Sequence, residues 1–516
     1  MDDTGSEQPQ APLFAAVRHF VHQGWPRILA ISALILTPCF WHHEIVASDL
    51  GSHLYNAWLV ELIHRGQAPG LWIAPLDTNV LFDLLLSGLG SALGLAVAEK
   101  IAVSISVLIF FWGIFALVCA AARRAPWFLT PAIALVTYGW TFHLGLFNYY
   151  LSLGLSFFSL AVWWRARGWE RLLAAAFAPF ILLAHPLGLV WLLAAAAYVR
   201  IHETVRRQDR IVLFGLAVAA IGLLHFFLFR HYPVQAAAKP FYSFNGADQL
   251  VLFGERYRFV ARALLVFAAL SLTIDLAGRR QHRTGSDYAL PAQLYLLTEI
   301  AIVLLPGAVA FPPPAAAAAL LTERLTSVSA AMGCCLLGVV RPRKWHLAVS
   351  AAIAAVFFSF LYQDTSLVDK MESQIVQLVS GLPPDQRVMA TIFPPPGSRV
   401  LIQHIIDRAC IGRCFSYGNY EPGAGLFRVR ALAGNPLVVT DYHLAVAMER
   451  GQYVVRPEDL PLYQVYQCSP SGRELCIRSL EAGEENDRLG VHPQDSVQSP
   501  GVLLPVRGGL GGLSQR

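Results

Sequence analysis

Apolar runs long enough to cross, or nearly cross, a lipid bilayer recur along this chain from residue 26 to residue 361. They fall at 26–41, 80–98, 101–122, 127–141, 146–164, 172–184, 186–199, 211–229, 259–276, 289–310, 315–340 and 345–361. A membrane-spanning helix needs roughly 17–25 mostly apolar residues, so the runs at 172–184 and 186–199 are short. Proline ends or kinks a helix, and the pattern predicts two helices hinged at Ala184-His185-Pro186. From Gln363 the apolar runs stop. Charges, prolines and strand-like pieces such as Val438-Val439-Thr440 and Tyr453-Val454-Val455 replace them. Residues 363–480 are expected to form a small soluble α/β domain. Residues 481–516, rich in Gly, Ser, Gln and acids, read as a disordered tail.

Composition sharpens this pattern. Of 516 residues, 55% are hydrophobic and only 14% charged, with a mean hydropathy of +0.50. A soluble chain carries about a quarter charged residues, so most of this one is expected to use lipid as its solvent. The predicted fold is an all-α polytopic membrane protein of about eleven to thirteen transmembrane helices, with the 363–480 domain outside. Residues 1–25 form a polar cytoplasmic segment, 26–361 the transmembrane domain, and 42–79 its first external loop. The first apolar run lacks a small-residue cleavage pattern and is expected to remain as an anchor. The net charge of +5 is spread along the chain. No basic cluster is long enough, or interleaved with aromatics, to point to nucleic acid.

The basic residues orient the spans. Arg165, Arg167 and Arg171 precede the hinged pair, and Arg200, Arg206, Arg207 and Arg210 follow it. Both loops belong in the cytoplasm by the positive-inside rule. His185, loop 230–258 and everything after 361 then lie outside the plasma (inner) membrane. The front of the chain disagrees. Arg123-Arg124 falls outside when counted from Met1 and inside when counted back from Arg165, so one segment between 80 and 141 is re-entrant or merged. Cysteines follow the same division: Cys39, Cys119, Cys334 and Cys335 sit in apolar runs, and Cys410, Cys414, Cys468 and Cys476 in the tail. An external domain with four cysteines predicts two disulfides, with the pairing open. The rival is a metal site, for which these spacings match zinc poorly.

Candidate chemistry begins at "ASDLGSHLYNAWLVELIHRG", Ala47 to Gly66. A helix there puts Asp49, His53 and Asn56 on one face. It is expected to lie along the outer leaflet with that polar face up. The plain alternative is that Ser48 or Asp49 only caps the helix. Charges within apolar runs are costly and usually face a cavity, which singles out Glu299, Glu323 and Arg324. A guanidinium suits a phosphate, which it binds with two parallel hydrogen bonds. Arg256 and Arg258, at the end of the external loop that also carries Lys239, are candidates for the same group. Internal pairing, such as Glu323 with Arg258 or Glu299 with Arg324, is the competing reading. His185 is a candidate substrate contact because of its hinge position.

A first span, an external loop opened by an acid, a surface helix, Gly66, Pro69 and further spans: this order resembles the glycosyltransferase-C superfamily. Its members are polytopic enzymes that take a sugar from a polyprenyl-phosphate or polyprenyl-diphosphate carrier. The resemblance implies that Asp49 is the catalytic base or a metal ligand, with His53 orienting it. It implies that Arg324, Arg256 or Arg258, or a divalent metal ion, stabilises the leaving phosphate. Here the second acid common in that superfamily is replaced by His53, and the nearest later acids are Glu61, Asp77 and Asp83. Two further stretches, "FHLGLFNYYLSLGLSF" (Phe142–Phe157) and "LLAHPLGL" (Leu182–Leu189), are similar to uncharacterised bacterial membrane proteins grouped with the superfamily. Physically, Gly145, Ser152 and Gly154 read as close helix packing and Asn148 as a bond across helices. The implied partners are membrane lipids, a polyprenyl-phosphate-linked sugar and a glycan, lipid or protein acceptor. Two other classes stay open: a transporter or flippase, whose expected internal repeat is not visible, and a non-catalytic scaffold whose tail binds a partner. Convergence of Asp49, His53 and Arg324 on one cavity would favour the enzyme.

Overall fold

The computed structural model describes residues 13–236, 245–279, 288–311, 318–402, 404–469 and 473–486. Lys239, Arg280, Arg283, Pro312-Pro313-Pro314 and the expected tail beyond 486 lie outside the described residues. The protein is mostly helical, 66% helix and 8% strand. Among the described residues, four helices are long and apolar enough to cross a membrane: Leu95–Ala122, Arg207–His231, Arg256–Gly278 and Lys344–Ser380. Gly24–Cys39, Leu81–Leu93 and Ala289–Leu304 are apolar but shorter. The run at 127–141 does not form one helix. It breaks into Thr130–Thr137 and Trp140–His143 because Gly139 is extended between them. This broken stretch lies in the region where the charge count was inconsistent. His185 is likewise extended, at φ −165° and ψ 131°, between Ala178–Ala184 and Pro186–Thr204, which is the expected hinge.

The helical core is built on close backbone approach. Leu95–Ala122 packs along Phe147–Arg165, and a Cβ on Gly113 would lie 2.5 Å from the Gly154 carbonyl oxygen. Phe110 stacks on Tyr150 beside that crossing, with ring centroids 4.0 Å apart. Ser152 donates to the His185 carbonyl at 2.8 Å, so the two stretches singled out in the sequence pack against each other.

The C-terminal segment carries a four-stranded sheet. Gln386–Thr391 lies between Cys414–Ser416 and Leu462–Gln467 and runs parallel to both, and Leu475–Ser479 closes the edge antiparallel. One side of this unit has its own small core around Met389, Tyr417, Ala445, Met448 and Leu462. The other side, including Val388, Ala390 and Val465, is continuous with the helical core. A short strand from the first loop, Leu71–Ile73, pairs antiparallel with Val429–Ala431. The four tail cysteines form two disulfides, Cys410–Cys414 and Cys468–Cys476, and the four in apolar runs are free thiols.

This docking changes the status of the Leu50–His64 helix. Expected at a surface, it is largely buried, including Leu50, Ser52, Leu54, Tyr55 and Asn56. The reason is chemical: its apolar residues join the core, and the C-terminal segment supplies partners for its polar ones. Ser52 donates to Glu421 at 2.9 Å, Asn419 donates to Asn56 at 3.1 Å, and the Tyr55 hydroxyl accepts the Ser416 N–H at 2.9 Å.

Candidate functional site

Asp49 is held by backbone rather than by its own carboxylate. The Ser48 N–H donates to the His143 carbonyl at 2.8 Å, and the Asp49 N–H to the Leu144 carbonyl at 3.1 Å. Gly145, at φ +83°, makes this possible: a Cβ there would lie 2.6 Å from the Asp49 nitrogen and 3.0 Å from its Cα. Glycine adopts that left-handed conformation at no steric cost. The capping alternative does not hold. The Asp49 side chain makes no cap hydrogen bond, and the buried Ser48 hydroxyl has no partner among the described residues. The Asp49 carboxylate is therefore left to a cavity of about 240 Å³.

Asp49, His53, His185 and Arg324 all line this cavity. The other candidates do not. Asn56 lies buried in the helix, donating to the Ser52 carbonyl at 2.9 Å. Glu323 accepts from the Thr322 hydroxyl at 2.9 Å. Arg256 pairs with Asp364 at 2.6 Å, and Arg258 with Glu255 at 2.8 Å.

His53 is fixed from below. Its Nδ1 lies 2.7 Å from Asp83 Oδ1. Asn148 holds Asp83 in place: its amide donates to Asp83 Oδ2 at 2.8 Å and its carbonyl accepts the Phe82 N–H at 2.8 Å. The expected cross-helix role of Asn148 is thus present, and its target is the acid behind His53. Across the cavity, Arg324 Nη1 lies 2.9 Å from His185 Nε2. The His185 Nδ1 is also addressed, by the Leu187 N–H at 3.2 Å. A neutral imidazole has one acceptor nitrogen, so these two donors are more than the ring can satisfy. The buried Arg324 Nε has no hydrogen-bond partner among the described residues. Its guanidinium rests over the Tyr149 ring, 5.4 Å from the centroid.

The C-terminal segment closes the opposite wall with Tyr420, Phe427, Tyr442, Glu449 and Arg450, and with His404. His404 Nε2 lies 3.7 Å from Asp49 Oδ1, and its Nδ1 lies 3.2 Å from Asp407. Asp407 in turn accepts from the Ser416 hydroxyl. Reading the sequence missed these residues because they lie far along the chain in a segment treated as a separate domain. A His-x-x-Asp spacing at 404–407 was the available signal.

The electrostatics follow from this crowding. Burial pushes the Asp49 carboxyl above the ordinary carboxylate range, against the pull of His404, His53 and Arg324. Burial works against a His53 imidazolium, but Asp83, Glu421 and Asp49 outweigh it and raise its pKa to about 9. For His404 the same opposition, won by Asp407, Glu449 and Asp49, gives about 9. Burial pushes Glu421 and Glu449 up to about 7. Among the described residues no group of three or more His, Cys, Asp or Glu side chains converges as a metal site. Asp49 shares the cavity with the Arg324 guanidinium, which has no lone pair to offer, and with His53 and His404, whose Nδ1 atoms already face Asp83 and Asp407, a donor set that does not fit a divalent ion.

No known protein family, curated protein or solved structure matches this chain.

Proposed function

We propose that this protein is an integral membrane glycosyltransferase of the glycosyltransferase-C type, moving a sugar from a polyprenyl-phosphate carrier to a cell-envelope acceptor. The observation that carries the reading is that Asp49 and Arg324 face one cavity, the first with its carboxylate uncommitted to a cap and the second with a buried N–H that has no partner among the described residues.

The membrane part rests on the apolar helices. Arg210–His231 has no buried residue and exposes Leu216, Leu223 and Phe226. An apolar surface of that extent needs a nonaqueous neighbour. With the basic loops on the cytoplasmic side, the cavity opens at the outer face of the plasma membrane, at the height where a carrier's head group sits.

The chemistry is a displacement at the anomeric carbon. The acceptor hydroxyl oxygen attacks that carbon while Asp49 takes the hydroxyl proton, the general-base role. The bond from the anomeric carbon to the carrier phosphate oxygen breaks, and its electron pair stays on the phosphate. Arg324 then meets the developing negative charge, the electrostatic term that dominates many active sites. The surplus of donors around His185 and Arg324 suits an added anion oxygen. A raised carboxyl pKa suits a base, because proton transfer is most effective when the base is matched to the working pH.

Asp49→Asn tests the reading. Asparagine keeps the size and cannot take the proton. At matched membrane expression, the variant should fold and insert but fail to restore the cell-surface glycan profile of a strain lacking the protein. In purified form its rate should fall roughly 10²–10⁴-fold. A wild-type glycan profile would end the catalytic reading and leave the scaffold reading in its place.

A further inference from the structure

We infer that His404, carried by the C-terminal segment and backed by Asp407, is a positioning residue that keeps Asp49 ionised and aimed into the cavity; this rests on the reading of Asp49 as the base.

The geometry is a relay of charges. Asp407 has both carboxylate oxygens engaged, Oδ1 by the Ser416 hydroxyl and Oδ2 by His404 Nδ1 at 3.2 Å. With Nδ1 held there, the ring presents Nε2 to Asp49 Oδ1 at 3.7 Å. An acid bound to one ring nitrogen fixes the tautomer and orientation of the other. The Cys410–Cys414 disulfide ties the end of the helix carrying Asp407 to the strand carrying Ser416. The approach of the two segments is also built in: a Cβ on Gly51 would lie 2.3 Å from the His404 carbonyl oxygen. No side chain at position 51 stands between the Asp49 helix and the His404 loop.

Such a residue is needed because Asp49 is largely withdrawn from water, and burial favours the neutral form of a carboxyl. A protonated Asp49 cannot act as a base. The groups that face Asp49 come from three parts of the chain. His53 is on its own helix, Arg324 on the Leu321–Val339 helix, and His404, Asp407, Tyr420, Glu421, Tyr442 and Glu449 on the C-terminal segment. Among the three cations, only His404 comes from outside the part of the chain built of apolar runs. Its side chain is 7% exposed, so water screens it little. At 3.7 Å it lies just beyond a direct hydrogen bond, and it acts on Asp49 through its charge.

The experiment follows protons and needs no sugar substrate. The full chain is purified in nanodiscs, and the carboxyl stretch of Asp49 is followed by infrared difference spectra across pH. The band is assigned by its loss in Asp49→Asn. In His404→Gln the midpoint of the Asp49 titration should move up by about one pH unit or more, a tenfold change in proton affinity. His404→Asn, whose amide can still donate to Asp407, removes the same cation and should move the midpoint in the same direction. Peptide mapping of the oxidised Cys410–Cys414 pair checks that each variant is folded. If His404→Gln fails to fold, His404→Asn still decides the matter. An Asp49 midpoint unchanged in the folded variants overturns the proposal. Because no transfer is measured, that result is distinct from failure of the transferase reading, which Asp49→Asn tests by glycan phenotype.

Discussion

His53 and Asp83 stand 2.7 Å apart, nitrogen to oxygen, although one belongs to the first loop and the other to the helix that follows it. The contact makes His53 one half of an acid–imidazole pair rather than an isolated base beside Asp49. An acid is present, one layer behind, and Asn148 secures it by spanning to Asp83 and to the Phe82 N–H. Asn148→Leu would leave that buried N–H and carboxylate without their partner. It should cost about 1–3 kcal/mol of stability, read as a lowered unfolding temperature in a fixed detergent. An unchanged unfolding temperature would show that Asn148 does not hold the pair.

Stability should fall as pH rises. His53 and His404 have folded-state pKa values raised to about 9. The stability they contribute is complete below about 6.5, their unfolded value, and is lost as pH rises through about 9. Glu421 and Glu449, pushed up to about 7, hold protons that the unfolded chain releases nearer pH 4.5. Their effect has the same sign, because stability falls with pH wherever the folded state binds more protons. Thermal unfolding between pH 5.5 and about 9.5 should therefore show a declining midpoint, with His53→Gln flattening the upper limb by on the order of 2 kcal/mol. A midpoint that rises across this range would contradict the assignment of these charges.

Gly145→Ala should damage the site although the residue touches no ligand. The new methyl would lie 2.6 Å from the Asp49 nitrogen at a backbone φ of +83°. Strain of this kind costs about 1–3 kcal/mol, and relief would push the Asp49 loop away from the Leu144 carbonyl. The expected outcome is a lowered unfolding temperature together with loss of the glycan phenotype. Normal function of the alanine variant would mean that the Asp49 backbone is free to settle elsewhere.

Arg324→Gln should weaken binding of polyprenyl phosphate to the protein in nanodiscs by about ten- to a hundredfold, since hydrogen bonds to a charged group are worth about 1.5–3 kcal/mol. Arg324→Lys should recover little, because an ammonium cannot reproduce the planar fork. Equal affinity in wild type and Arg324→Gln would remove Arg324 from the phosphate site.

Peptide mapping under non-reducing conditions should find Cys410 joined to Cys414 and Cys468 to Cys476, with Cys39, Cys119, Cys334 and Cys335 carrying free thiols. Cross-pairing between the two sets would rule out the arrangement that ties the Asp407 helix to the Ser416 strand.

Much of this was legible along the chain because it depends on local pattern. The apolar runs announced a helical protein, Pro186 announced the break at His185, and the cysteines divided by the polarity of their neighbours. Helical spacing put Asp49 and His53 together, and the Gly145–Asn148 stretch read as packing. What the chain could not announce was which distant surfaces meet. Hydrophobic periodicity says that a face is buried, not what buries it. The Leu50–His64 helix has an apolar face that a membrane surface or a protein wall would serve equally. The docking of the 386–479 sheet decided for the wall. That docking brought His404, Tyr420 and Glu449 to Asp49, and it depends on an absent side chain at Gly51, as the seating of the Asp49 backbone depends on one at Gly145; both effects exist only in three dimensions. Arg256 and Arg324 were alike in sequence, each a cation near an apolar run. Tertiary structure set them apart by giving Arg256 a carboxylate at 2.6 Å and leaving the Arg324 Nε without a partner among the described residues. The worth of a charge is set by what surrounds it, and its surroundings come from the whole fold.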